Sequence, residues 1–135
     1  MVDRNLSEAL GRALHGDANA IADILRADHP SVREAEKSIG APLVVNRAAA
    51  VSILRGLIDG RFSPSAVQSW ASFIRRGFVE GAAEGPIQPI DIEFEDAWQD
   101  PISAVVSRLD EIGDVIDGEV TTGEALDLLL LLGEP

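Results

Sequence analysis

Leu6, Leu10 and Leu14 recur every four residues, and this stripe predicts a short helix over residues 5–15. Asn5 stands at its cap position, with Glu8 at capping-box spacing. A second helix is expected from a cap at Asp17 to about Asp28, with Ile21, Ile24 and Leu25 on one face. His29-Pro30 should end it, because a residue before proline avoids the α region. "SVRE" at 31–34 reads as a capping box opening a polar helix that stops at Gly40. "APLVV" at 41–45 is short and β-branched, and it is expected to be an extended connector rather than a strand.

The signals are clearer in the middle of the chain. Asn46 caps a helix that reaches Asp59 and Gly60, with Ala50, Val51, Leu54, Leu57 and Ile58 facing inward. Ser63-Pro64 opens another helix, in which Val67, Trp70, Phe73 and Ile74 follow the helical period. Arg75 and Arg76 fall in its last turn, where they complement the helix dipole, and Gly77 stops it. Residues 78–90 hold two glycines and two prolines and read as a loop. Asp100-Pro101 repeats the cap-then-proline signal. The helix it opens is expected to run to about Asp117, with Ile102, Val105, Val106, Leu109, Ile112 and Ile116 as its stripe. Thr121 and Glu124 form a capping box for a last helix through Leu132, which is apolar nearly all round. The expectation is an all-α single domain over residues 1–135, a bundle of six or seven helices.

Charge changes the picture. Residues 1–77 carry eight acids and ten bases, whereas residues 78–135 carry fifteen acids and Arg108 alone, within a net charge of -12. The switch falls at the 78–90 loop, between a near-neutral half and an acidic half. Such asymmetry bears on partners rather than on fold. The acids concentrate in "DIEFEDAWQD" at 91–100 and along the helix after it. Asp91, Glu93, Phe94, Glu95, Asp96, Asp100, Asp110, Glu111, Asp114, Asp117 and Glu119 are the candidate partner-binding residues, with Phe94 as an apolar anchor and Trp98 in the core.

Other chemistry is disfavoured. The spacing Asp91, Glu93, Glu95 begins like an EF-hand loop, but Asp96 and Ile102 stand where that loop needs glycine and glutamate. His15 and His29 lack the Glu-x-x-His spacing of a di-metal bundle, so no metal is expected. Without cysteine, disulfides and thiolate chemistry are absent. Neither a phosphate loop nor a nucleophile elbow occurs, so no catalytic residue, no cofactor and no enzymatic activity are expected. The chain shows no 18-residue apolar run and no signal-peptide pattern, which points to a cytoplasmic protein that does not enter membranes. Ten arginines against one lysine, with much alanine and glycine, suggest a bacterial source.

Residues 46–77 also have the outline of a helix-turn-helix, with Arg55, Arg61, Arg75 and Arg76 available to phosphates. Trp70 and Phe73 look like core on the would-be recognition helix, and the acidic half would repel nucleic acid, so direct binding to it is disfavoured. A third reading is a homo-oligomer through residues 122–132, since leucines around the whole circumference cannot share one core.

Two stretches, "SILRGLIDGRFSPSAVQSWASFI" at 52–74 and "DEIGDVIDGEVTTGEALDLLLLL" at 110–132, resemble the colicin-D-type immunity proteins, which are small acidic helical inhibitors of nuclease toxins. The resemblance covers about half the chain. It implies that the acids at 91–119 imitate a nucleic-acid substrate and occlude the active site of a basic partner, with the chain acting as an immunity or antitoxin-type inhibitor.

Overall fold

The computed structural model of the protein describes residues 4–27, 29–77, 90–113 and 118–134. Among them are seven α-helices and two short strands: α1 (Arg4–Leu14), α2 (Ile21–Leu25), α3 (His29–Ile39), β1 (Leu43–Val45), α4 (Arg47–Asp59), α5 (Pro64–Arg76), β2 (Ile92–Phe94), α6 (Gln99–Asp110) and α7 (Thr122–Leu131). Single 3₁₀ turns at Ala18–Ala20 and Asp96–Trp98 lead into α2 and α6. The chain is all-α in class, a mostly helical single domain.

Helix α5 is the centre of the core. Val67, Trp70, Ala71, Phe73 and Ile74 are buried, and the indole N–H of Trp70 donates to the Ala13 carbonyl at 2.8 Å. The same carbonyl, in the last turn of α1, also accepts the Gly16 N–H at 3.1 Å, so the indole fastens α5 to the end of α1. Around α5 pack α6 and α2, while α1 lies against α2 and α3, and α4 against α7. Phe62 folds back onto α4 over Gly56, where a β-carbon would stand 2.2 Å from the Phe62 ring.

Most caps are as the sequence predicts. Asn46, Ser63 and Thr121 each accept a backbone N–H three residues on, and Asp17 accepts that of Asn19. Gly60 and Gly77 close α4 and α5 with positive φ. Several boundaries differ, among them the end of α2, which stops at Leu25 rather than near Asp28. Asn5 lies inside the first turn of α1, which begins at Arg4. Pro30 opens α3 rather than ending α2, because a proline in the first helical turn gives up an N–H that has no helical partner anyway. Asp100 likewise sits within α6, which starts at Gln99 and stops at Asp110. A turn through Gly113, whose N–H donates to the Gly118 carbonyl at 2.8 Å, takes over there. The predicted continuation through Ile116 to Asp117 lies outside the described residues, as does the predicted loop at 78–90 except for Ile90.

The largest correction concerns "APLVV". Leu43–Val45 is a strand, paired in parallel with Ile92–Phe94 in the register Leu43 to Ile92, Val44 to Glu93 and Val45 to Phe94. Its partner lies inside the acidic segment, beyond α4 and α5. A parallel pair always needs such a long crossover, so the pairing leaves no local signature.

Candidate functional site

The acidic segment is built on this strand pair. Alternation along β2 turns Ile92 and Phe94 onto the core and leaves Glu93 exposed, beside the exposed Val44 of β1. Phe94, expected as an exposed anchor, is therefore half-buried in the fold. At the start of the segment the Asp91 N–H donates to Glu36 of α3 at 2.9 Å. At its end the Glu95 N–H donates to the Val45 carbonyl, and the Glu95 carboxylate accepts the Arg47 N–H at 2.9 Å. That N–H belongs to the first turn of α4, so Glu95 serves as a cap brought from a distant segment. Trp98 packs partly into the core beneath the Arg47 guanidinium, 5.3 Å from the ring centroid.

What remains outside is a set of carboxylates. Asp91, Glu93, Asp96 and Asp100 are exposed and form no ion pair among the described residues. Glu119, beyond α6, is exposed in the same way.

The other predicted acids are placed differently. Asp110 is turned inward: its side chain is 6% exposed and accepts from Arg75 at 2.9 Å and from Gln68 at 3.1 Å, with Arg76 at 3.7 Å. It belongs to the contact between α5 and α6 rather than to an open acidic face. Glu111 is exposed but paired with Arg108 at 2.9 Å. Asp114 and Asp117 lie outside the described residues.

Arg108, the one base of the acidic half, is fully engaged. Its guanidinium donates to both oxygens of Glu124, at 2.6 and 3.0 Å, and to the Glu119 carbonyl at 2.9 Å. Hydrogen bonds from Arg108 hold the Glu124 carboxyl below its usual range, and the same bonds raise the guanidinium above its own. This bidentate pair ties α6 to the N-terminus of α7.

The helix-turn-helix outline meets two obstacles. Six side chains of α5, Ser72 included, are buried, leaving no broad face for a groove. Each of the four arginines proposed for phosphate contacts is opposite a carboxylate: Arg55 to Glu134 at 3.6 Å, Arg61 to Asp59 at 3.0 Å, and Arg75 and Arg76 to Asp110.

Among the described residues, clefts are also lined by residues of the N-terminal part of the chain. One of about 200 Å³ lies between Ala18–Ala22 and the start of α5. Another, about 340 Å³, is lined by Arg12, His15, Gly16, Asp17, Ser52, Arg61 and Phe62. There His15 Nδ1 lies 2.6 Å from the Gly11 carbonyl and the Ser52 hydroxyl donates to the Gly16 carbonyl at 3.1 Å, so both polar groups face backbone rather than each other. The described residues contain no group of three His, Asp or Glu side chains arranged to hold a metal ion. None of their helices is long and apolar enough to cross a membrane.

Glu36 joins the acidic segment unannounced by the sequence, since it sits on a polar helix 55 residues before the Asp91 amide it holds. No family model matches the chain, and neither a curated protein nor a solved structure matches it.

Proposed function

We propose that the chain is a non-enzymatic acidic binding protein of the immunity or antitoxin kind, which masks a basic, nucleic-acid-handling partner in the cytoplasm. One observation carries this reading. Asp91, Glu93, Asp96 and Asp100 stand exposed and unpaired among the described residues on a backbone held by β1, Glu36 and Arg47. Carboxylates spread along a fixed backbone offer a basic cleft an array of anions like that of a phosphate chain. Their attraction steers encounter before contact and weakens as salt screens it. A surface kept only for solubility has no need of a segment pinned at both ends.

The alternative of a nucleic-acid-binding regulator has little support, because its arginines already face carboxylates and the acidic half repels phosphate.

The test begins with the genes beside this chain's own. A reading frame for a basic nuclease is expected there, and its absence would count against the immunity reading. The nuclease is purified for the assay. Nuclease inhibition and association rate are measured for the wild type and for the E93Q/D96N/D100N variant. The expected result is association slowed about tenfold or more at low salt, with melting unchanged. Equal rates for both proteins would remove the acidic segment from the interface.

A further inference from the structure

Helix α7 has a face that the fold does not use. Ala125, Leu128, Leu129 and Leu132 are buried, whereas Leu126, Leu130 and Leu131 are 49%, 61% and 52% exposed. Leu126 and Leu130 are neighbours one turn apart, and Leu131 is offset from Leu130 by about 100° around the axis. Asp127 is exposed among them. The end of this helix abuts the acidic segment: a β-carbon on Gly133 would lie 3.1 Å from the Trp98 ring, and Trp98 stands between the exposed Asp96 and Asp100. Nearby Arg47 and Arg55 are occupied by Glu134, at 3.4 and 3.6 Å.

We infer that Leu126, Leu130 and Leu131 are the apolar anchor of the docking surface, and that they receive a basic amphipathic helix of the partner. Its apolar side chains lie on α7, and its Lys and Arg residues meet Asp96, Asp100 and Asp127. This inference rests on the acidic-inhibitor reading and adds the partner's secondary structure and second recognition element.

Charge selects this occupant over a second copy of the chain. Three half-exposed leucines offer roughly 300 Å² of apolar surface, a size ordinary for a functional patch on a monomer. Two-fold symmetry would bring two copies of a chain of net charge -12 together, whereas a basic helix neutralises the acids beside the leucines.

The test titrates the ¹⁵N-labelled full chain with two synthetic peptides of identical lysine and leucine composition. One has its leucines at helical spacing and the other is scrambled. The helical-face peptide is expected to bind about tenfold tighter, shifting the amides of residues 126–131, and to lose that advantage on L126S/L130S/L131S. L130S alone, at the most exposed of the three, is the second variant should the triple one fold poorly. The D96N/D100N/D127N variant should weaken both peptides. Equal affinity for both peptides, lost together in high salt, would overturn the anchor and leave the acidic reading standing. No binding of either peptide at low salt would overturn both. Concentration-dependent sedimentation that disappears in the leucine variants would assign the face to a second copy and overturn the proposed occupant.

Discussion

Asp110 of α6 and Arg75 of α5 face each other 2.9 Å apart, with the aspartate nearly enclosed and the arginine half in solvent. Removing the acid deprives Arg75, Arg76 and the Gln68 amide of their shared acceptor at once, whereas removing Arg75 leaves Asp110 still held by Gln68 and Arg76. D110A should therefore lower stability by about 1–2 kcal/mol, less than a fully enclosed pair because the bases are solvated. R75A should cost under about 1 kcal/mol. Urea midpoints of the two variants check the order, and equal losses would contradict this asymmetry.

Arg47 joins three separate parts of the chain. Its backbone N–H is capped by Glu95, its guanidinium lies over Trp98, and its side chain donates to the Leu132 carbonyl and pairs with Glu134. R47A keeps the backbone cap and removes the rest, so about 1–2 kcal/mol is expected to be lost. Amide exchange should quicken in residues 129–134 and at Trp98, while α1 to α3 keep their protection.

The pairing of Glu124 with Arg108 gives stability a specific acid limb. The folded carboxyl titrates below its ordinary 4.5, chiefly through the hydrogen bonds from Arg108. Its contribution is complete above that ordinary value and disappears as pH falls through the lowered folded value. Asp59 is lowered as well, first by the Arg61 backbone N–H, so part of the limb persists without Glu124. E124Q should flatten the fall in melting temperature below about pH 4.5. An unchanged slope would show that the pair is not maintained in solution.

Gly56 has no room for a side chain. A β-carbon would stand 2.2 and 2.4 Å from two atoms of the Phe62 ring. Alanine improves helix propensity by about 1 kcal/mol, yet the overlap should dominate and give a net loss of about 1–2 kcal/mol. Pairing G56A with F62L should recover part of it. A stabilised G56A would mean that the chain after Gly60 lifts away from α4.

Calcium and magnesium should have no specific effect. The exposed acids are spread over a strand, a 3₁₀ turn and a helix start, and no three form a chelating group among the described residues. At millimolar concentration either ion should change the melting temperature no more than matched ionic strength does. A saturable micromolar site detected by calorimetry would contradict this.

Much of the helical layout was readable because its signals are local. Asn46, Ser63 and Thr121 announce helices through bonds to residues three positions on, and Gly60 and Gly77 end helices through their own backbone freedom. Pro30 misled because a proline is equally at home after one helix and in the first turn of the next, and Asp100 because a first turn admits proline beyond its first position, so the cap need not stand directly before it. The acidic segment was visible as composition, but its shape was not. Glu93 faces out and Phe94 in because β1 lies beside them, and Asp110 faces in because of Arg75, 35 positions earlier. Those partners leave no trace in the local pattern, so an inward acid and an outward one look alike.

The parallel register of β1 and β2 also sets an order of events in folding. Glu95 and Arg47 meet across 48 residues, while α1 meets α2, and α4 meets α5, across short connections. Closing the longer span carries the larger entropic cost, so the local helix pairs are expected to form first and the strand pair to follow. In pulse-labelling hydrogen exchange, the Glu95 amide should be protected after those of α4 and α5. A chain only partly folded would then carry the same charges without their arrangement. Under the proposed function, the ability to capture a partner would arrive with the last step of folding, and the net charge would not supply it beforehand.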